Sequence, residues 1–130
     1  MKNGAYTRLG TLVISICLAL SSSAYAKSTG WLNANQLQVF SREHLRAEAF
    51  PTSISCKDSE VVAGMDRRNM MVKIEYSSNP HHQSWKWAWG GAVGKVEHDY
   101  AAKGYKMVSQ DSFRRPSGLL MRCAIWHKQN

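Results

Sequence analysis

Catalytic and metal-binding signatures are what this chain most visibly lacks. It has no G-x-S-x-G nucleophile elbow, no Gly-rich phosphate loop and no paired-carboxylate signature, so no acyl- or phosphoryl-transfer chemistry can be assigned from motifs. No H-E-x-x-H, H-x-x-x-H or Cys–His cluster occurs, and the five histidines His44, His81, His82, His98 and His127 are scattered apart from one adjacent pair. A tight metal site needs three or four converging ligands, so no metal and no cofactor is assigned. There is no C-x-x-C, no internal repeat and no low-complexity tract. Acid is scarce as well, with 9 Asp plus Glu against 17 Lys plus Arg and a formal charge of +8. At 130 residues there is room for one small domain and none for a cofactor-binding domain beside a substrate domain.

What is present begins with an address. Lys2 and Arg8 make a positive start, Leu9–Leu20 is dominated by apolar side chains, and Ser21-Ser22-Ser23 leads into Ala24-Tyr25-Ala26, the small-x-small pattern that signal peptidase accepts. The apolar run is too short for a membrane anchor, which takes roughly 20 residues. Bulky Ile16 before Cys17 argues against a lipidated cysteine. The expectation is a signal peptide over residues 1–26, cleaved after Ala26, and a single compact exported domain over 27–130. Its location would be periplasmic or fully secreted, since such a signal only carries the chain across the first membrane.

Cleavage removes Cys17 and leaves Cys56 and Cys123. Two cysteines delivered to an oxidising compartment have only one intramolecular pairing, and a disulfide is expected. A redox pair would prefer closer spacing and a metal site more ligands, which places both behind the structural bridge. The loop it closes is long, and chain entropy assigns such a bridge roughly 4 kcal/mol.

Composition is that of a globular protein, 44% hydrophobic and 20% charged. Lys27–Trp31 reads as an exposed tether. A helix is expected from about Asn33 to Glu48, capped by Asn33 or Asn35, with Leu37, Phe40, Ser41, His44 and Leu45 on one face and Pro51 as terminator. Strands are expected at Thr52–Lys57, Val61–Met65, Met70–Tyr76, Trp85–Trp89, Tyr105–Asp111 and Leu119–Trp126, with a polar turn at Asp66–Asn69. A second helix should run from Ala92 to Lys103 and end at Gly104. These elements predict an α+β fold, a small mostly antiparallel sheet packed against two helices and braced by one disulfide.

Two features could carry function. On a strand, alternate residues share a face, so Trp85, Trp87 and Trp89 would form one aromatic surface, either lining the core or offering flat indoles to a sugar ring, an apolar group or a cation. Arg67, Arg68, Arg114 and Arg115 fall in turns, and Lys103 and Lys106 flank a helix end. Together they could form a basic rim that attracts anions, or an ordinary solubilising surface. The Gly90-Gly91 pair reads as a strand-to-helix turn more simply than as an anion cradle.

The resulting expectation is a small non-enzymatic binding or accessory module of a bacterial-type cell envelope. Its partner would be an envelope glycan, an anionic headgroup or an acidic protein, while nucleic acid fits the charge but not the address. A small envelope hydrolase and an inhibitor or immunity partner of a secreted protein are the rival classes. The address is checked by intact mass of the secreted fraction: the mature chain should begin at Lys27 and gain the mass of two hydrogens on reduction. A protein retaining residues 1–26 would refute the leader assignment.

Overall fold

The computed structural model describes residues 26–43, 49–59 and 70–130. Among them are six strands and two helices: β1 (Lys27–Leu32), α1 (Ala34–Glu43), β2 (Ala49–Asp58), β3 (Met70–Ser78), β4 (Trp85–Trp89), α2 (Ala92–Ala102), β5 (Tyr105–Arg114) and β6 (Leu120–Lys128). The strands form two antiparallel sheets of three, ordered β1-β3-β2 and β4-β6-β5. An α+β chain with antiparallel strands, two helices and one disulfide is therefore present, but the single sheet expected from sequence is two.

Period-2 patterning explains the first sheet. Met70, Val72 and Ile74 on β3 and Ile54 and Cys56 on β2 are buried on one side and join one hydrophobic core. Lys57, Met71, Lys73 and Glu75 alternate to the other side. Helix α1 lies over the inner face, with Leu37 wholly buried in that core and Phe40 edge-on to Tyr76 at 5.4 Å. Its start is a reciprocal cap: the Gln36 N–H donates to Asn33 Oδ1 and the Asn33 N–H to Gln36 Oε1, both at 2.9 Å.

Two sequence expectations are corrected here. Lys27–Trp31 is not a tether but most of β1, paired with β3. Ser28, Thr29 and Gly30 do not look like a strand because they sit at a bulge. Gly30 supplies a φ of +67°, and Thr29 Oγ1 accepts the Ile74 N–H at 3.1 Å where the ladder is interrupted. Pro51, expected to stop a helix, lies inside β2 at the register shift between Pro51 and Ser53. A strand proline is tolerated at such a bulge on a sheet edge. The expected strand Val61–Met65, the turn Asp66–Asn69 and the end of the first helix beyond Glu43, His44 included, lie outside the described residues.

In the second sheet β6 is central. Met121, Cys123 and Ile125 face the core shared with the first sheet, while Ala124 and Trp126 face α2, packing with Val93, Ala88, Tyr100 and Tyr105. Both faces are covered, which is why Cys123 through Trp126 is buried without interruption. Helix α2 stops as its sequence suggests: the Gly104 N–H bonds to the Ala101 carbonyl and Gly104 adopts a φ of +82°.

The sheets meet along β2, whose free edge points at the second sheet. No backbone ladder joins them there. Instead side chains of β5 take the open donors: the Ile54 N–H donates to Ser109 Oγ at 3.1 Å and the Cys56 N–H to Asp111 Oδ2 at 2.9 Å. The constant offset of 55 residues shows that β2 and β5 run in the same direction along this seam. The expected disulfide Cys56–Cys123 ties β2 to β6 across it, with Cα atoms 6.3 Å apart. Further along, His127 Nε2 lies 2.7 Å from the Pro51 carbonyl oxygen and the imidazole packs on Phe50 at 4.0 Å.

Replacing Asp111 with Ala strands the Cys56 N–H in a partly buried seam and should lower unfolding free energy by about 1–3 kcal/mol in urea titration. The double change Cys56→Ala/Cys123→Ala should lower it by about 4 kcal/mol. Loss below about 1 kcal/mol in the second case would show that the bridge contributes little to holding the sheets together.

Candidate functional site

The aromatic strand forms as the alternation predicts. Trp85, Trp87 and Trp89 of β4 lie opposite His127, Ile125 and Cys123 of β6, on the face turned toward the shared core. The indoles pack edge to face in series, Trp85 on Trp87 at 5.8 Å and Trp87 on Trp89 at 5.4 Å, with interplanar angles of 88° and 74°. Such pairs suit the indole quadrupole and hold each ring in one orientation.

The three are half-buried, so the sequence alternatives of core and platform each capture part of the arrangement. Trp87 and Trp89 pack against the main core. Trp85, at the start of the strand, is outside that cluster and lies beyond it in the direction of the chain's His127 end. Because β4 is an edge strand, the ladder runs along a border of the sheet and not beneath another strand. The intervening Lys86 is exposed and points its ammonium toward the Tyr105 ring, 5.9 Å away.

Of the cations expected to form a basic rim, the described ones differ in their surroundings. Arg114 is exposed and donates to the Gly118 carbonyl at 3.0 Å, closing its own turn. Arg115 is 6% exposed, with Nε 3.5 Å from Asp58 Oδ1, so it braces the seam between β2 and the β5–β6 turn instead of meeting solvent. Burial of a guanidinium is tolerated because a carboxylate accompanies it as an ion pair. Arg67 and Arg68 lie outside the described residues. Lys103 donates to Asp99 at 2.8 Å, and that hydrogen bond and charge hold its ammonium above the ordinary lysine range. Lys106 is exposed on β5.

Histidines and carboxylates are dispersed. His81 and His82 are exposed in the β3–β4 turn, His98 is exposed on α2, and His127 is engaged with Pro51 and Phe50. Among the described residues no three His, Cys, Asp or Glu side chains gather as a metal site. Asp111 is occupied by the Cys56 and Ser112 N–H groups, and Glu75 sits exposed on β3, so these two carboxyls do not form a pair. Gly90 has a φ of +70° and its N–H donates to the Arg122 carbonyl at 2.7 Å, which makes the Gly90-Gly91 step a strand-to-helix turn. A cavity of 260 Å³ beside Gln110, Asp111, Ser112, Leu120 and Arg122 offers a guanidinium, but Arg122 is already taken by Gln110 at 3.2 Å and Glu97 at 3.4 Å.

Sequence reasoning missed one cluster. Trp31 on β1, Lys73 on β3 and Lys57 on β2 share the outer face of the first sheet, with Lys57 Nζ 4.4 Å and Lys73 Nζ 5.2 Å from the Trp31 ring centroid. A polar, glycine-containing Lys27–Trp31 gives no local sign of a strand that would carry the ring. Only a strand pairing that sets Trp31 opposite Lys73 brings the three together.

Comparison with known protein families, with curated proteins and with solved structures finds no match to this chain. No helix among the described residues is long and apolar enough to cross a membrane.

The packing separates the three indoles by their cost of removal. Trp87→Ala should lower the melting temperature by roughly 10 °C or more, as an aromatic lost from a core does. Trp85→Ala should shift it by less than about 4 °C in the same calorimetric scan.

Proposed function

We propose that this chain is an exported, non-enzymatic binding module of a bacterial-type cell envelope, and that it holds a glycan against the indoles of β4. The observation that carries the reading is the ladder itself: three tryptophans in series on an edge strand, each fixed by its neighbour and each retaining partial access to solvent. A platform already locked in its binding orientation loses little conformational freedom when a ligand stacks on it. Sugar rings present flat C–H faces that suit an indole, and Trp85 is the member least committed to the core.

The leader pattern at residues 1–26 and the Cys56–Cys123 bridge support a site of action outside the cytosol. The basic excess of the chain supports an anionic polymer over a neutral one, through long-range attraction that exposed lysines and Arg114 supply. Catalysis is not needed by this reading: the groups facing the ladder from β6 and β5 are His127, Ile125, Cys123, Ser109 and Asp111, and the polar ones among them serve the inter-sheet seam.

The test is sedimentation of the mature protein with insoluble peptidoglycan, with the soluble fraction quantified. Wild type should be retained, and Trp85→Ala should weaken retention about fivefold or more with its melting temperature nearly unchanged, as loss of one stacked aromatic contact would give. Retention should also fall between low and physiological salt, because the attraction is screened. Equal retention of the wild type and Trp85→Ala would refute the ladder as the contact face.

A further inference from the structure

We propose that the outer face of the first sheet is a second, separate binding surface, which seats the protein on an anionic phospholipid bilayer through Trp31, Lys57 and Lys73. The three residues come from three adjacent strands. Trp31 and Lys73 are directly opposite in the β1–β3 register, and Lys57 reaches the same ring from β2. Trp31 is 36% exposed, which leaves part of a large apolar ring in contact with solvent. The inner side of this sheet holds the core and α1, and no described element packs on the outer side.

Charge decides the partner's sign. Two ammonium groups converge on one indole, and among the described residues neither is ion-paired with a carboxylate. Asp58, next in sequence to Lys57, belongs to the other side of β2 and is engaged by Arg115. Glu75 is the acid on the same face, two places along β3 and opposite Ser28 and Ser53, toward the end away from Lys57. The indole face partly compensates the two like charges by cation–π attraction, but it cannot neutralise them. The partner this face suits is therefore anionic.

Geometry narrows its source. At Trp31 two lysine ammoniums lie over the ring, so a sugar laid flat on it would have to displace both, in contrast with the ladder on β4. What stays available is the rim of the indole, the half-buried Met71 that lies opposite Lys57 in the register, and two cations on flexible stems. An open sheet face with an apolar centre and ammoniums able to reach outward matches a bilayer interface. Indole rests at headgroup depth there, and lysines extend to the phosphates. Each lysine near an anionic leaflet contributes about fivefold in partitioning.

The experiment is co-sedimentation of the mature protein with vesicles of phosphatidylcholine plus phosphatidylglycerol, and with vesicles of phosphatidylcholine alone. Melting curves on every variant confirm folding. Wild type should pellet with the anionic vesicles only. Lys57→Gln/Lys73→Gln should weaken this binding about tenfold or more. Lys95→Gln/Lys106→Gln, which removes the same charge from α2 and β5, should leave it within about twofold. Trp31→Ala should weaken it severalfold with no change in melting temperature. Equal losses in the two double variants would overturn the proposal in favour of unspecific attraction to a basic protein. Binding to a soluble sulfated polysaccharide but not to the vesicles would overturn it in favour of a polyanion surface. Peptidoglycan retention separates this surface from the β4 ladder: Trp31→Ala should leave retention unchanged, and Lys57→Gln/Lys73→Gln should lower it no more than Lys95→Gln/Lys106→Gln does, while vesicle binding falls in the first two alone.

Discussion

The structure depends on how β2 is held at its open edge. An unpaired edge in the middle of a small protein would leave backbone donors facing apolar neighbours, and each such orphan is costly. Here the neighbouring sheet does not extend the ladder. It presents a hydroxyl and a carboxylate, Ser109 and Asp111, to two alternate N–H groups of β2, and a disulfide passes through the same place. Directional polar contacts and a covalent bond converge where the hydrophobic cores of the two sheets become one. Arg115 against Asp58 and His127 against the Pro51 carbonyl extend the seam in opposite directions, so that Ser109, Asp111, Arg115 and His127 are all spent on architecture.

That allocation clarifies what the surface has left for recognition. The cations and carboxylates that a motif search would first suspect are largely absorbed: Arg115 by the seam, Asp111 by β2, Arg122 by Glu97 and Gln110, and Lys103 by Asp99. Aromatic rings are what remain at the borders. The β4 ladder lies along one sheet edge, and Trp31 lies on the far face of the other sheet. They differ in the groups beside them, since the ladder indoles lean on one another while Trp31 is flanked by ammoniums.

Much of this was legible in the residues. Alternation in Met70–Tyr76 and in Leu119–Trp126 located β3 and β6 and the inward placement of both cysteines, because burial of one strand face imposes a period of two. Gly104 marked the end of α2 for a conformational reason that holds in any context. What escaped notice was non-local. Lys27–Trp31 is polar and glycine-containing, and it becomes a strand only because Thr29 repairs the ladder at a bulge against β3. Pro51 carries a strong helix-stopping signal, yet a bulge on an edge strand accommodates it equally well. The split into two sheets turns on side-chain bonds between residues that no local pattern connects. Non-local pairing likewise creates the Trp31 cluster and buries Arg115, whose local sequence is that of a surface turn.

The seam also dictates a timetable. Its contacts join residues separated by 55, 67 and 76 positions, and the partner in each case lies in the final quarter of the chain. Closing loops of that size costs entropy before any contact rewards it, so β2 gains nothing from its own neighbourhood beyond β3. Until β5 and β6 have been supplied, the sulfur on β2 lacks its partner Cys123 and its strand edge lacks Ser109 and Asp111. The seam is therefore the part of the structure that waits longest on the chain, because each of its contacts needs a residue from the last two strands.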